Sequence, residues 1–287
     1  MMKIIGQTRR VRGLLNPEEV LRRAERPLHI GLIAPNARAY ADIEEFLIPG
    51  GLPRAVRAEL RSRIHRGDDE SVPDWVDVVL YHVRVPFRHG AFALDPDDPH
   101  KTVAEIVKAH EDLALPLARQ FPGFRAAVVE RIVHAVSLEN AMFSVATALP
   151  NVVPSLVELP WALGEFASDT VFLTVNQIRM AFHIAAACGH EVGFGRQKAQ
   201  ILAIAGGAFG WRALARELAG HIPFGGGLIP KGAIAYAGTF LVGKGLEYLL
   251  YTHEPFTREQ RGEVYRQGLE RGRAVAESME VETPKSA

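Results

Sequence analysis

Three carboxylates, Glu158, Glu165 and Asp169, recur at spacings of seven and four residues. On one continuous helix that spacing lines them along a single face, where two could divide acid and base roles or share a cation. Pro160, Gly164 and Ser168 interrupt such a helix. The competing reading is electrostatic: a buried charge must be paired, and Arg179, Arg212 and Arg216 are the available cations. Ion pairing is the favoured assignment, with Arg179 buried against Glu165 or Asp169. Should the region be catalytic instead, its pocket is lined by Glu165, Asp169, Asn176 and Arg179. As structural residues, Asn176 and Gln177 would satisfy polar groups inside a helical bundle.

Other groupings are less complete. His183, Cys188 and His190 offer zinc donors, but Cys188 has no partner thiol and a zinc site wants three or four rigidly spaced ligands. His183 reads as a hydrogen-bonded core residue and Cys188 as a small buried one. Asp95-Pro-Asp-Asp-Pro-His100 places three carboxylates and an imidazole in one loop, without the glycine and terminal glutamate of a calcium loop. A phosphate cradle needs a glycine-rich loop ending in Gly-Lys-Ser/Thr. Gly31-Leu-Ile-Ala-Pro-Asn-Ala-Arg-Ala39 has neither the second glycine nor the lysine, so GTP and ATP binding is not expected. No Gly-x-Ser-x-Gly elbow, His-Glu-x-x-His or Cys-x-x-Cys pair occurs. Lys3, Arg9, Arg10 and Arg12 read as a solvated tail. No catalytic residue, cofactor or metal is therefore assigned.

The elements that would carry these residues fall into two styles. Asn16-Pro-Glu-Glu19 suits a helix start, with a capping Asn, Pro at the first position and acids facing the dipole. Leu28–Ala34 and Trp75–Val85 read as buried strands. Between them, Asn36 is placed to cap a helix carrying Tyr40, Ile43 and Leu47, and Val56, Leu60 and Ile64 form a further apolar stripe amid arginines. Pro86–His100 reads as a loop and domain junction. Beyond it every element reads as helix: a capping box at Thr102-Val-Ala-Glu105 opens one to Gln120, and Phe121-Pro-Gly123 breaks it. Helices follow over about 124–149, 155–167, 169–188, 195–221 and 229–251. A second capping box, Thr257-Arg-Glu-Gln260, opens a charged terminal helix to about Ser278.

The 287 residues are 48% hydrophobic, enough for one large or two small domains. Thirty-three basic residues balance thirty-three acidic ones, which argues against nucleic acid as a partner. A single cysteine and a start without a long apolar core point to the cytoplasm. The apolar stretches carry Arg179, Arg212 and Lys231 and fall short of the ~20 residues of a span, so they read as buried helices. Gly206-x-x-x-Gly210 marks a close helix crossing.

Three motifs in order, Leu173-Thr-Val-Asn-Gln177 with Met180 and Gly189, Gly206-Gly-Ala-Phe-Gly-Trp-Arg-Ala-Leu-Ala-Arg216, and Gly232-Ala-Ile-Ala-Tyr-Ala-Gly-Thr239 after Ile222-Pro, resemble a bacterial helical domain of unknown function, family six-nine-seven. The likeness covers about Ala104 to Tyr251. The resemblance implies an association with Era-like GTPases and an inner-membrane setting, and supplies no catalytic residue. Where such proteins carry a GTPase, this chain has about a hundred residues without a phosphate loop. These look similar to a shortened, nucleotide-free remnant or an unrelated replacement.

The expected fold is mainly α: a small N-terminal α/β region over 1–100, a helical bundle over 101–280 and a frayed tail over 281–287. The expected function is a non-enzymatic interaction or membrane-proximal scaffold, serving a partner GTPase supplied in trans, in the cytoplasm or peripheral on the inner membrane. The alternatives are an enzyme around Glu165, Asp169 and Arg179, and a carrier of small apolar ligands or lipid.

Overall fold

The structure, a computed structural model, describes residues 15–67, 72–147, 169–202 and 228–281. The chain is mainly α, with one small parallel sheet near the N-terminus, in agreement with the sequence. It divides into two compact units. The α/β unit comprises Glu19–Glu130 and Ala185–Glu191; the helical unit comprises Met1–Glu18, Arg131–Ile184 and Val192–Ala287.

Helix α1 (Pro17–Ala24) leads into β1 (Ile30–Ile33), α2 (Ala37–Leu47), α3 (Arg54–Arg61), β2 (Ile64–Arg66), β3 (Val78–His82) and β4 (Phe92–Leu94). Helices α4 (His100–Ala109) and α5 (Ala114–Gln120) and a 3-10 turn at Pro122–Phe124 follow. The strands order β2-β1-β3-β4, all parallel, with Gly31 opposite His65 and Val79. Parallel neighbours need a crossover, which α2 and α3 supply between β1 and β2. All four β1 residues are buried, as a central parallel strand covered on both faces requires. Asn36 caps α2 as expected: its Oδ1 accepts from the Ala39 N–H at 3.0 Å, and Ile43 and Leu47 are buried below.

Several local expectations are corrected. β2 takes Ile64 out of the apolar stripe of α3, and β4 lies inside the segment read as loop. The Thr102 hydroxyl donates to Ala93 O at 2.6 Å instead of capping a helix. The helix it was expected to open is two, α4 and α5, separated at His110–Leu113.

In the helical unit, α6 (Arg125–Ala146), which begins in the α/β unit, is followed by α7 (Asp169–Ala187), α8 (Leu228–Thr252) and α9 (Arg258–Val281). Phe143 of α6 stacks on Phe172 of α7 with centroids 3.8 Å apart, and the His134 Nδ1 lies 2.7 Å from the buried Tyr236 hydroxyl of α8. Helix α9 opens on the expected capping box: the Thr257 N–H donates to Gln260 Oε1 at 2.9 Å, and the Gln260 N–H to Thr257 Oγ1 at 3.2 Å. It runs antiparallel to α8 on a seam of small residues. A Cβ on Gly272 would lie 2.9 Å from Ala233 Cα and O, and one on Gly268 3.0 Å from Ala237 Cα. The described residues thus contain a close helix crossing at this seam. Gly206 and Gly210 lie outside them, as do 155–167 and all of 195–221 beyond Leu202; Lys198–Leu202 is helical.

Candidate functional site

The polar residues of the helical unit gather where α6, α7 and α8 face one another. Helix α6 contributes Ser137, Glu139 and Asn140, α7 contributes Asn176, Gln177 and Arg179, and α8 contributes Thr239. Ser137, Asn140, Asn176, Gln177 and Thr239 are all buried. An amide removed from water costs free energy unless it is bonded, so the network can be followed donor by donor.

Asn140 Nδ2 donates to Thr239 Oγ1 at 2.8 Å, and Asn176 Nδ2 donates to Asn140 Oδ1 at 2.9 Å. The same Asn176 nitrogen reaches Glu139 Oε2 at 3.4 Å, which uses both of its N–H groups. Thr239 Oγ1 also accepts from Gln177 Nε2 at 3.4 Å and donates to Ala235 O at 2.9 Å. A hydroxyl has one donor and two acceptor positions, so Thr239 is saturated. Glu139 Oε2 is held in turn by Arg179 Nη2 at 2.5 Å. Ser137 Oγ alone of these buried groups has no partner among the described residues.

Arg179 is thus paired with the carboxylate of Glu139 on α6, a partner the sequence reading did not name. With side chains 23% and 30% exposed, the pair is wetter than the fully buried one anticipated. Glu165 lies outside the described residues, and the side chain of Asp169 is not described. Of the pocket expected around Glu165, Asp169, Asn176 and Arg179, the structure brings together Asn176 and Arg179, both on Glu139. Sequence reasoning missed Glu139, Asn140 and Thr239. Their signal was available: Ser137, Glu139 and Asn140 interrupt an otherwise apolar run in α6.

The other candidate donors are engaged locally. His183 Nδ1 sits 2.9 Å from Arg179 O, one turn back on its own helix, and Cys188 is half-buried. Asp95 Oδ1 accepts from the Asp97 N–H at 3.1 Å, a turn-forming contact. Among the described residues no three His, Cys, Asp or Glu side chains are placed to hold a metal ion.

The α/β unit carries a separate aromatic cluster. His29 Nδ1 and His65 Nε2 are 3.0 Å apart, and Trp75 stands edge-on to both rings at 4.9 and 4.7 Å. Burial, and then the neighbouring His29, lower the pKa of His65 below its ordinary value. Beneath them Asp77 accepts from the His29 N–H at 2.9 Å and pairs with Arg26 at 3.2 Å.

The chain matches no protein-family model, no curated protein and no solved structure. No helix among the described residues is long and apolar enough to cross a membrane.

Proposed function

We propose that the helical unit is a non-enzymatic interaction scaffold. The observation that carries this reading is the hydrogen-bonded network joining Glu139, Asn140, Asn176, Arg179 and Thr239, in which the Thr239 hydroxyl is saturated. A catalytic site keeps donors and acceptors open for the reacting atoms. Here the buried amides and the Thr239 hydroxyl spend their bonds on one another, which is what specifying a single helix register needs. The partner this scaffold serves is a GTPase supplied in trans, as the resemblance to the GTPase-associated helical domain implies, and its membrane contact is peripheral.

The decisive experiment uses a deletion strain of the native cell, complemented with the tagged chain. Asn140→Leu combined with Asn176→Leu and Thr239→Val replaces the network with apolar groups of similar size. A scaffold retains complementation whenever the variant gives the wild-type circular dichroism and unfolding midpoint. It also leaves membranes on carbonate washing and co-purifies a GTP-binding protein in fixed ratio. A variant that folds normally but fails to complement would assign chemistry to these polar groups and sink the scaffold reading.

A further inference from the structure

The α/β unit contains an open cleft of about 480 Å³ that the scaffold reading does not use. Its lining combines apolar Leu52, Val56 and Leu60 with the cationic residues Arg63, Arg119 and Arg125. Val56 is 40% exposed although its helix neighbour Leu60 is buried, so an apolar surface faces solvent there. Glu25 and Glu59 also line the cleft, which leaves three cations against two anions, a surplus of one positive charge.

The surplus can be located. Arg119 pairs with Glu25 at 3.1 Å and gives Nη1 to the Ala186 and His190 carbonyls. Arg63 pairs with Glu59 at 2.6 Å and donates to Gln120. Arg125 has no carboxylate partner among the described residues. Its Nε donates to Ala118 O at 3.1 Å and its Nη2 to Arg119 O at 3.4 Å, which orients the guanidinium. A guanidinium has five N–H donors, so this leaves those of Nη1 uncommitted. Gly189 borders it with φ of +82°, and even a Cβ there would come within 3.5 Å of Arg125 Nη2. A glycine at that position keeps the approach to the cation clear and suits the left-handed backbone.

The geometry points to a binding site for a small amphipathic carboxylate. Its head would take the free donors of Arg125, since planar guanidinium and carboxylate groups are matched, and its short apolar chain would cover Val56 and Leu52. Glu25 and Glu59 limit the charge that can enter, which favours a monoanion over a polyphosphate.

Hexanoate is the probe, titrated into the full chain by calorimetry, with acetate and hexanol as controls that each remove one half of the recognition. Saturable hexanoate binding in the millimolar range is expected for a ligand of this size, with both controls at least about tenfold weaker. Arg125→Gln can still donate to the Ala118 carbonyl and should weaken hexanoate about tenfold or more by losing a charge-assisted contact. Val56→Asp alters a solvent-facing position, so it keeps the test decisive even if Arg125→Gln fails to fold; it should weaken hexanoate by a similar factor. Absence of saturation with hexanoate, equal binding of acetate, or unchanged affinity in Val56→Asp would overturn the site. None of these outcomes bears on the network of the helical unit, so failure here leaves the scaffold reading standing.

Discussion

Replacing Gly272 with alanine tests the α8–α9 crossing through the smallest possible perturbation, one methyl group. Its Cβ would lie 2.9 Å from Ala233 Cα and O and 2.8 Å from Tyr236 Cβ. Carbon atoms pack best at about 3.5–4.0 Å, so the helices must part locally by roughly 0.6–1 Å. The atoms in the way are mainly backbone, which cannot rotate aside. Overpacking of this kind costs about 1–3 kcal/mol. Against it stands the helix propensity of alanine, about 0.8–1 kcal/mol better than glycine. The net expectation for Gly272→Ala is a loss of roughly 0–2 kcal/mol. Gly262, on the same helix, has nothing within 4 Å of a built Cβ. Gly262→Ala should therefore show the propensity gain alone, and the two variants should differ by about 1–3 kcal/mol. Urea unfolding followed by circular dichroism, with equal slopes, measures that difference. If Gly272→Ala proves as stable as Gly262→Ala, the seam is not closely packed and the argument fails.

Two further perturbations test other contacts. For the Glu139–Arg179 pair, partial exposure discounts the buried-pair cost, so Arg179→Ala should destabilise by about 1–2 kcal/mol; a double-mutant cycle with Glu139→Ala should show coupling of about 1 kcal/mol, and strictly additive losses would mean that the pair contributes nothing. His65 is shifted below 6.5 in the folded chain, so the unfolded chain binds more protons as pH falls through that value. Stability should hold above pH 6.5 and decline below it, His65→Gln should flatten that decline, and a histidine titration midpoint at or above 6.5 would contradict the burial argument.

The fold class was legible because it rests on local pattern. The apolar runs at β1 and β3 are short and rich in β-branched residues, whereas those of α7 and α8 are far too long for strands, so length and composition separate them. The short strands were not legible. β2 and β4 have three residues each, too few for alternation to emerge, and they exist because β1 and β3 offer them unpaired edges. Thr102 shows the same override: a good capping sequence is diverted to the Ala93 carbonyl by the neighbouring strand. Glu139 as a partner of Arg179 was not legible for a related reason. Proximity in sequence drew attention to Glu165 and Asp169, and only the packing of α6 on α7 brings Glu139, forty residues away, to the guanidinium.

The seam on α9 shows a subtler limit. Helix 258–281 is rich in charge, and a charged helix reads as a solvated one, so attention falls on the glycines of apolar segments instead. Yet beside the buried Tyr265 this helix approaches the α8 backbone most closely where side chains are missing, at Gly268 and Gly272. Gly268 and Gly272 lie one turn apart, as do Ala233 and Ala237 on α8, and the two pairs register against each other. Arg271, beside that seam, lays its guanidinium 4.9 Å from the Phe240 ring centroid, so a polar residue also covers apolar surface of the neighbouring helix. In such a helix small residues mark the buried face as well as apolar ones do, Gly268, Gly272 and Ala276 lying buried with Tyr265. A small-residue spacing of four on a charged helix therefore deserves the weight given to the same spacing in an apolar one.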